Sequence, residues 1–140
     1  MTEVTELHED SITVVREFFA AMTIEDTAEA VALCAPDVVW RNTTLPTVRG
    51  ATAMRRALTA LARSPLQFAA DFHAIAADGD TVLTQRTDHL SVGPLRISFW
   101  VCGTFELRDG KITRWDDYFS WENVLRGTVI GLVRAALGRG

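Results

Sequence analysis

The sequence predicts an α+β fold in which a cone-shaped, curved mixed β-sheet wraps around helices. Apolar residues recur at helical spacing up to Pro65, and four strand-like runs separated by turn residues follow. A last amphipathic segment ends the chain. Helices and antiparallel strands that occupy separate parts of a chain are typical of the α+β class.

Helical spacing predicts two helices near the start of the chain. The first begins at a cap formed by Asp10 or Ser11 and reaches Met22. The second begins behind Asp26, in a pattern that resembles a capping box, and ends at Pro36.

Strand-like runs alternate with turn residues over most of the remaining chain. One run, Asp37–Asn42, precedes a third helix that follows Gly50. Asp-Gly and Gly-Pro pairs then separate the strands of an antiparallel meander, predicted over Gln67–Ala77, Thr81–Leu90, Leu95–Leu107 and Lys111–Phe119.

A final helix is predicted over Glu122–Leu137. One face of this helix is apolar and is expected to cover the sheet; it consists of Val124, Leu125, Val129, Leu132, Val133 and Ala136.

Length and composition limit the class of protein. A chain of 140 residues fits one domain, expected over 11–140 behind a flexible acidic segment over 1–10. The net charge of -4 and the lack of a cationic stripe exclude nucleic acid as the expected partner. The acidic opening lacks the pattern of a secretion signal and no stretch reaches the ~20 apolar residues of a membrane helix, so neither export nor a membrane span is expected. Cys34 and Cys102 are expected to be buried free thiols, which are typical of a reducing cytosol. Together with the lack of a membrane helix, this leads us to expect a soluble, cytoplasmic protein without membrane contact.

An unusual acid lies on an apolar face of the last strand. Because strand side chains alternate, Asp117 shares a face with Trp115 and Phe119, while Asp116 points outward on the other side. A carboxylate in apolar surroundings is costly unless it is paired. The sequence therefore predicts a partner for Asp117.

Arg86 and Asp88 can supply that partner, since they share one face of the second meander strand. One guanidinium can bridge two carboxylates through its planar fork of donors. The residues alone leave two interpretations with similar weight, a catalytic acid–cation–acid cluster and a buried structural ion-pair network.

Other side chains complete the predicted pocket. Trp40 and Asn42 share a face, and an amide suits holding a water molecule beside a base, although an Asn near a strand end is also typical of a turn. Leu125 is expected to cap the pocket or to face a second copy of the chain. Six aromatic residues are expected to lie in the core or in the wall of the pocket: Phe68, Phe72, Phe99, Trp100, Phe105 and Trp115.

Four motifs together resemble those of the limonene epoxide hydrolase family. They are Trp40-Arg41-Asn42, Leu83-Thr84-Gln85-Arg86-Thr87-Asp88, Trp100-Val101-Cys102-Gly103 and Trp115-Asp116-Asp117-Tyr118-Phe119. The similarity extends from about Ser11 to about Phe119. It implies the nuclear transport factor 2-like, cystatin-like fold shared with SnoaL-like proteins, and a homodimer.

The resemblance also implies a chemistry: addition of water to a small or medium apolar epoxide in one step, with no metal and no cofactor, to give a vicinal diol. Asp117 would take a proton from a water held with Asn42, and Asp88 would protonate the epoxide oxygen while Arg86 holds both acids. Substrate contacts are expected from Trp40, Trp100, Trp115, Phe119 and Leu125.

The chain departs from the family at Trp40, where a tyrosine is usual. An indole N–H donates a hydrogen bond but cannot accept one, whereas a phenol does both. We therefore expect either a differently held water or a reshaped pocket at this position.

Two other functions stay open at this stage. A ketosteroid isomerase or SnoaL-like polyketide cyclase would move a proton next to a carbonyl with one buried aspartate, and a binding domain of the same fold would do no chemistry. A pocket with only one reachable acid would favour the isomerase.

The histidines are interpreted as incidental. His89 falls on the strand face opposite Asp88, and His73 shares a face with Asp71 and Ile75. His8 lies in the acidic first segment.

Overall fold

The fold is built on one curved, open sheet. A computed structural model describes residues 2–43 and 45–138 of the chain, with side chains from Asp10 onward. The strands are β1 (Cys34–Asn42), β2 (Val48–Arg49), β3 (Gln67–Asp78), β4 (Thr81–Val92), β5 (Leu95–Arg108) and β6 (Lys111–Phe119). They lie in the order β2-β1-β6-β5-β4-β3. β1 runs parallel to β6 and the other neighbours are antiparallel, so the predicted mixed sheet is confirmed.

The described residues also form four α-helices, three of them before β3 in the chain and one after β6. They are α1 (Thr2–Thr23), α2 (Thr27–Ala32), α3 (Ala51–Arg63) and α4 (Trp121–Ala136). None of these helices combines the length and the hydropathy needed to cross a membrane.

The four strands of the predicted meander are confirmed, with ends that differ by at most about two residues. Asp109 and Gly110 have φ angles of 52° and 76°, the positive pair that a tight two-residue hairpin requires. β2 was not predicted, because two residues are too short for a recognisable alternation.

α1 begins at Thr2, about two turns before the predicted cap. Ser11 is therefore not a cap; it is buried inside the helix, and its Oγ donates a hydrogen bond to the Gly79 carbonyl at 3.0 Å. This bond ties α1 to the β3–β4 turn. The flexibility expected over 1–10 stays a prediction, and Met1 and residues 139–140 lie outside the described residues.

The predicted cap of α2 is confirmed, because the Asp26 carboxylate accepts a hydrogen bond from the Glu29 amide at 3.1 Å. The helix ends at Ala32, earlier than expected, since Cys34 already pairs with Ile112 of β6. Cys34 is buried and Cys102 only half-buried, and both are free thiols.

The core lies between the first three helices and the concave face of the sheet. Phe19 of α1 packs edge-on against Phe72, Phe105 and Trp115, with ring centroids 5.2 to 5.7 Å apart. Such pairs add to the stabilisation from burial alone. Further buried members of this core are Val15, Phe18, Met54, Leu58, Val38 and Val82.

α4 packs on β5 through glycines and not through its apolar face. A β-carbon at Gly127 or Gly131 would lie 2.3 Å from the carbonyl oxygen of Ser98 or Arg96, so only glycine permits this approach. β6 pairs with β5 from Val101 to Arg108, and α4 packs against the earlier part of β5, at Arg96 and Ser98. The predicted packing face is therefore wrong for Leu125, Val129, Leu132 and Val133, which are 52–65% exposed, whereas its member Val124 is half-buried.

A bulge between Phe72 and Ala74 shifts the alternation of side chains along β3. Asp71 and His73 are exposed on the outer face, whereas Ile75 packs against the core. The expectation that His73 shares a face with Ile75 is therefore wrong.

Candidate active site

Arg86 is completely buried and binds both of the predicted acids. Its Nε and Nη2 donate to the two oxygens of Asp88 at 2.9 Å each. Its Nη1 and Nη2 donate to Asp117 at 3.2 and 2.9 Å. Two carboxylates thus occupy two edges of one guanidinium plane. The predicted contact of Arg86 with Asp88 and Asp117 is present.

Gly103 of β5 is what lets this cluster form across three strands. It pairs with Thr84 on one side and with Asp117 on the other. A β-carbon on Gly103 would lie 2.6 Å from Asp117 Oδ1 and 2.7 Å from Arg86 Nη1. No role was predicted for this residue, although a glycine inside a strand often marks such a close approach.

Burial raises the pKa of Asp117 to about 6, although the charge and hydrogen bonds of Arg86 act in the opposite direction. Trp115 Nε1 also donates to Asp117 Oδ1, at 2.7 Å. Burial acts to lower the pKa of Arg86, but the hydrogen bonds to Asp88 and the charge of Asp117 raise it above its ordinary value. Arg86 is therefore a permanent cation between two acids, and its Cζ lies 4.6 Å from the Phe19 ring centroid.

An apolar cavity of about 290 Å³ opens beside the cluster. Asp88, Asp117 and Asn42 line one part of it, whereas Arg86 lies behind the two acids. Most of the wall is apolar and includes Leu90, Ile97, Phe99, Phe119 and Val124. A few polar groups in an apolar cavity are the usual composition of a small-molecule site.

The parallel pairing of β1 and β6 places the remaining predicted polar residue. Asn42 is the direct partner of Asp117 in this ladder, so its amide stands beside the acid at the cavity. Trp40, two residues earlier, stacks on Trp115 with centroids 4.5 Å apart. Its Nε1 is buried and, among the described residues, has no hydrogen-bond partner.

The chain matches the family model of the limonene-1,2-epoxide hydrolase catalytic domain over residues 9–130. The chain belongs to this family. Over 121 residues it is 43% identical to epoxide hydrolase EphG of Mycobacterium tuberculosis (strain ATCC 25618 / H37Rv). The matched segment covers 85% of this chain and 79% of EphG. The family predicted from the motifs is thus confirmed.

Solved structures show the same relationship. An M. tuberculosis LEH-like epoxide hydrolase superposes with a TM-score of 0.89 at 37% identity, covering 94% of this chain and 98% of the other. A putative ketosteroid isomerase from Kribbella flavida DSM 17836 superposes with a TM-score of 0.66 at 21% identity, covering 81% and 79%, which shows the fold alone. The nuclear transport factor 2-like fold predicted for the chain is confirmed.

Two residues predicted to contact substrate lie away from the cavity of this limonene-1,2-epoxide hydrolase family member. Trp100 alternates with Phe99 and Val101, so it lies on the outer face and is 46% exposed. Leu125 is 65% exposed because α4 turns another side towards β5. By contrast, Trp40, Trp115 and Phe119 line the cavity as predicted, together with residues that the sequence analysis did not assign to it, such as Trp121.

Asp116 points away from the cavity, as expected, but it is buried. Arg41 and Arg114 bind its two oxygens at 2.9 and 2.7 Å. Although burial acts to raise the pKa of Asp116, these hydrogen bonds hold it below its ordinary value. The neighbouring acids of β6 therefore differ: Asp116 serves an ion-pair network on the outer side, and Asp117 faces the cavity.

Proposed function

We propose that this protein hydrolyses a small or medium apolar epoxide to a vicinal diol by direct addition of water, in one step and without a cofactor. The observation that carries this proposal is the pair of carboxyls, both bound to Arg86 and both lining one apolar cavity. Family membership and the relationship to EphG support the reaction class.

The charges of the cluster support opposite protonation states for the two acids. One guanidinium and two carboxylates sum to one net negative charge in a buried place, and a single proton on the pair neutralises it. Asp117 accepts hydrogen bonds from Arg86 Nη1, Arg86 Nη2 and Trp115, whereas Asp88 accepts from Arg86 Nε and Nη2. The additional donor favours the charge on Asp117. We assign the proton to Asp88 because the family resemblance gives this residue the role of the acid, and the additional donor on Asp117 agrees with that assignment.

These states allow a concerted addition. Asp117 takes a proton from water while the water oxygen bonds to an epoxide carbon, the carbon–oxygen bond of the ring breaks, and Asp88 gives its proton to the leaving oxygen. The Asn42 amide orients the water. Arg86 does not line the cavity, so it acts as a positioning residue. A proton must then return from Asp117 to Asp88 to complete the cycle.

The cavity supports an apolar substrate. Its wall offers aromatic and aliphatic side chains, and its polar groups gather around the two acids. Trp40 lines this cavity, and its Nε1–H, which has no partner among the described residues, is available as a donor to a bound oxygen atom. An isomerase with one working acid is less well supported, because both Asp88 and Asp117 line this cavity.

A homodimer belongs to the same proposal. The exposed apolar side chains of α4 supply surface that a second copy could cover, and size-exclusion chromatography with light scattering tests this. The cytoplasmic location stays a prediction.

A single-turnover reaction in water labelled with oxygen-18 tests the mechanism. Enzyme in excess over a small cyclic epoxide should yield a diol that carries the label from the first turnover. A covalent ester on either aspartate would instead place unlabelled carboxylate oxygen in that first diol. Asp117→Asn should form no diol above background while its thermal unfolding stays close to that of the unaltered protein.

Two results would contradict the proposal. One is an unlabelled first diol, and the other is the absence of diol from a panel of apolar epoxides. Chelator treatment should leave the rate unchanged, since no step uses a metal.

A further inference from the structure

A second set of polar residues lies on the outer face of the sheet, opposite the cavity of the two acids. His89 follows Asp88 in β4 and therefore points the other way. Its Nδ1 lies 2.6 Å from Ser98 Oγ on β5, and its Nε2 lies 2.8 Å from Asp71 Oδ2 on β3. Three adjacent strands thus hold an Asp–His–Ser row.

The hydrogen bonds fix the direction of the row. The bond from His89 holds the pKa of Asp71 below its ordinary value, so Asp71 is a carboxylate that only accepts. Nε2 then carries a hydrogen, and when the ring is neutral its Nδ1 accepts from the Ser98 hydroxyl. A neutral imidazole between a carboxylate and a hydroxyl acts as the base that activates a serine nucleophile, here with Nδ1 and not the more usual Nε2 toward the serine.

The surroundings hold the imidazole in place. The side chain of His89 is only 11% exposed, and both ring nitrogens are bonded, so the ring cannot turn without losing both contacts. The pairing of His89 with Ser98 across β4 and β5 is a direct one, which fixes their separation through the backbone ladder. Asp71 is 71% exposed at its side chain, so water can reach that end of the row.

A cavity of about 190 Å³ gives access to the serine. It is lined by His89, Arg96 and Ser98 from the sheet and by Gly131 and Arg134 from α4. Its position beside Gly131 places it where α4 crosses β5. Two guanidinium groups at one small cavity attract a carboxylate or another anion.

We propose that Ser98, His89 and Asp71 form a second site, which hydrolyses esters whose acyl group carries a carboxylate. Ser98 Oγ bonds to the acyl carbon while His89 Nδ1 takes its proton and passes it to the departing alcohol. Water then attacks the acyl-serine, with His89 again as the base, and releases the acid. Arg96 and Arg134 bind the carboxylate of the acyl group. No residue of the Asp88–Arg86–Asp117 cluster takes part.

Covalent labelling tests the nucleophile. The full-length protein is treated with a fluorophosphonate probe and examined by intact mass and peptide mapping. One adduct is expected, on Ser98, and it should be absent from Ser98→Ala. Ser91→Ala is the matched control, since it removes a hydroxyl from β4 near the same histidine but outside the row. Its labelling should equal that of the unaltered protein.

The part of Asp71 in the Asp–His–Ser row is tested by substituting this exposed residue, which leaves the core untouched. Asp71→Asn should slow labelling by roughly 10-fold or more, because the amide no longer fixes the imidazole tautomer. Labelling of Ser98 at an unchanged rate in Asp71→Asn would overturn the role of Asp71 in orienting His89. An adduct elsewhere, or none, would overturn the site.

The acyl preference is tested with two nitrophenyl esters, one with a succinyl and one with an acetyl group. Turnover of the succinyl ester should be faster by about 10-fold, and Arg134→Gln should reduce that preference. Equal rates for both esters would overturn the assigned substrate class. Diol formation from epoxides should be the same in Ser98→Ala as in the unaltered protein, which separates this site from the first.

Discussion

Gly103 lies directly opposite Asp117 in the ladder between β5 and β6, and a β-carbon on Gly103 would sit 2.6 Å from Asp117 Oδ1. Gly103→Ala should therefore push the carboxylate away from Arg86. A displacement of about an ångström is expected to lower kcat by ~100-fold, with a lower melting temperature. Steady-state kinetics on a small cyclic epoxide and thermal unfolding measure both effects.

Cys102→Ala is the control for this substitution. Cys102 is the preceding residue of the same strand and lies on the other face, so its variant should retain turnover. Full activity in Gly103→Ala would contradict the view that close packing at this glycine sets the position of Asp117.

The pKa of Asp117, raised by burial to about 6, predicts an acid limb in the pH profile. The base must be ionised, so kcat/KM should fall about tenfold per pH unit below that value. Trp115→Phe removes a hydrogen bond that favours the ionised form, and the limb should move to higher pH. Profiles of both proteins give the comparison, and a limb that stays in place in Trp115→Phe would count against Asp117 as the base.

Arg86 is expected to matter for stability as well as for activity. Arg86→Met leaves two buried carboxyls without their cation, which should cost about 3–5 kcal/mol in the free energy of unfolding. The loss should shrink as the pH falls, because the carboxylate that is still charged at neutral pH then becomes neutral as well. Urea unfolding at two pH values measures it.

Asp88→Asn separates the role of the Asp88–Arg86–Asp117 cluster in catalysis from its role in stability. This variant keeps the Arg86–Asp117 pair and the shape of the side chain, so it should lose diol formation and keep most of its stability. Equal destabilisation by Arg86→Met and Asp88→Asn would contradict the assignment of Arg86 as the positioning residue.

Strand alternation predicted most of the site. Arg86, Asp88 and Asp117 carry charges in apolar strands, and a charge in such a place requires a partner within reach. The meander fixes which faces converge, so these contacts could be predicted without coordinates. Asn42 was reached by the same reasoning.

The residues that were placed wrongly depend on packing that alternation does not determine. Trp100 was assigned to the pocket by its aromatic character, although its neighbours Phe99 and Val101 take the inner positions. Leu125 lies on an apolar helix face, but α4 approaches β5 through Gly127 and Gly131, whose contacts with carbonyl groups leave no trace in hydropathy. Bulges add a further shift of faces, as at His73.

Trp40, noted from the sequence as a departure from the family resemblance, has a buried Nε1 without a hydrogen-bond partner among the described residues. If that N–H holds the water or the substrate oxygen, Trp40→Tyr should retain or raise kcat/KM on a small cyclic epoxide, since a hydroxyl can both donate and accept. Trp40→Phe keeps an aromatic ring against Trp115 but removes the polar atom, and it should lower kcat/KM by roughly 10-fold. A large loss in Trp40→Tyr combined with full activity in Trp40→Phe would show that the size of the ring, and not its hydrogen bond, is what the cavity requires.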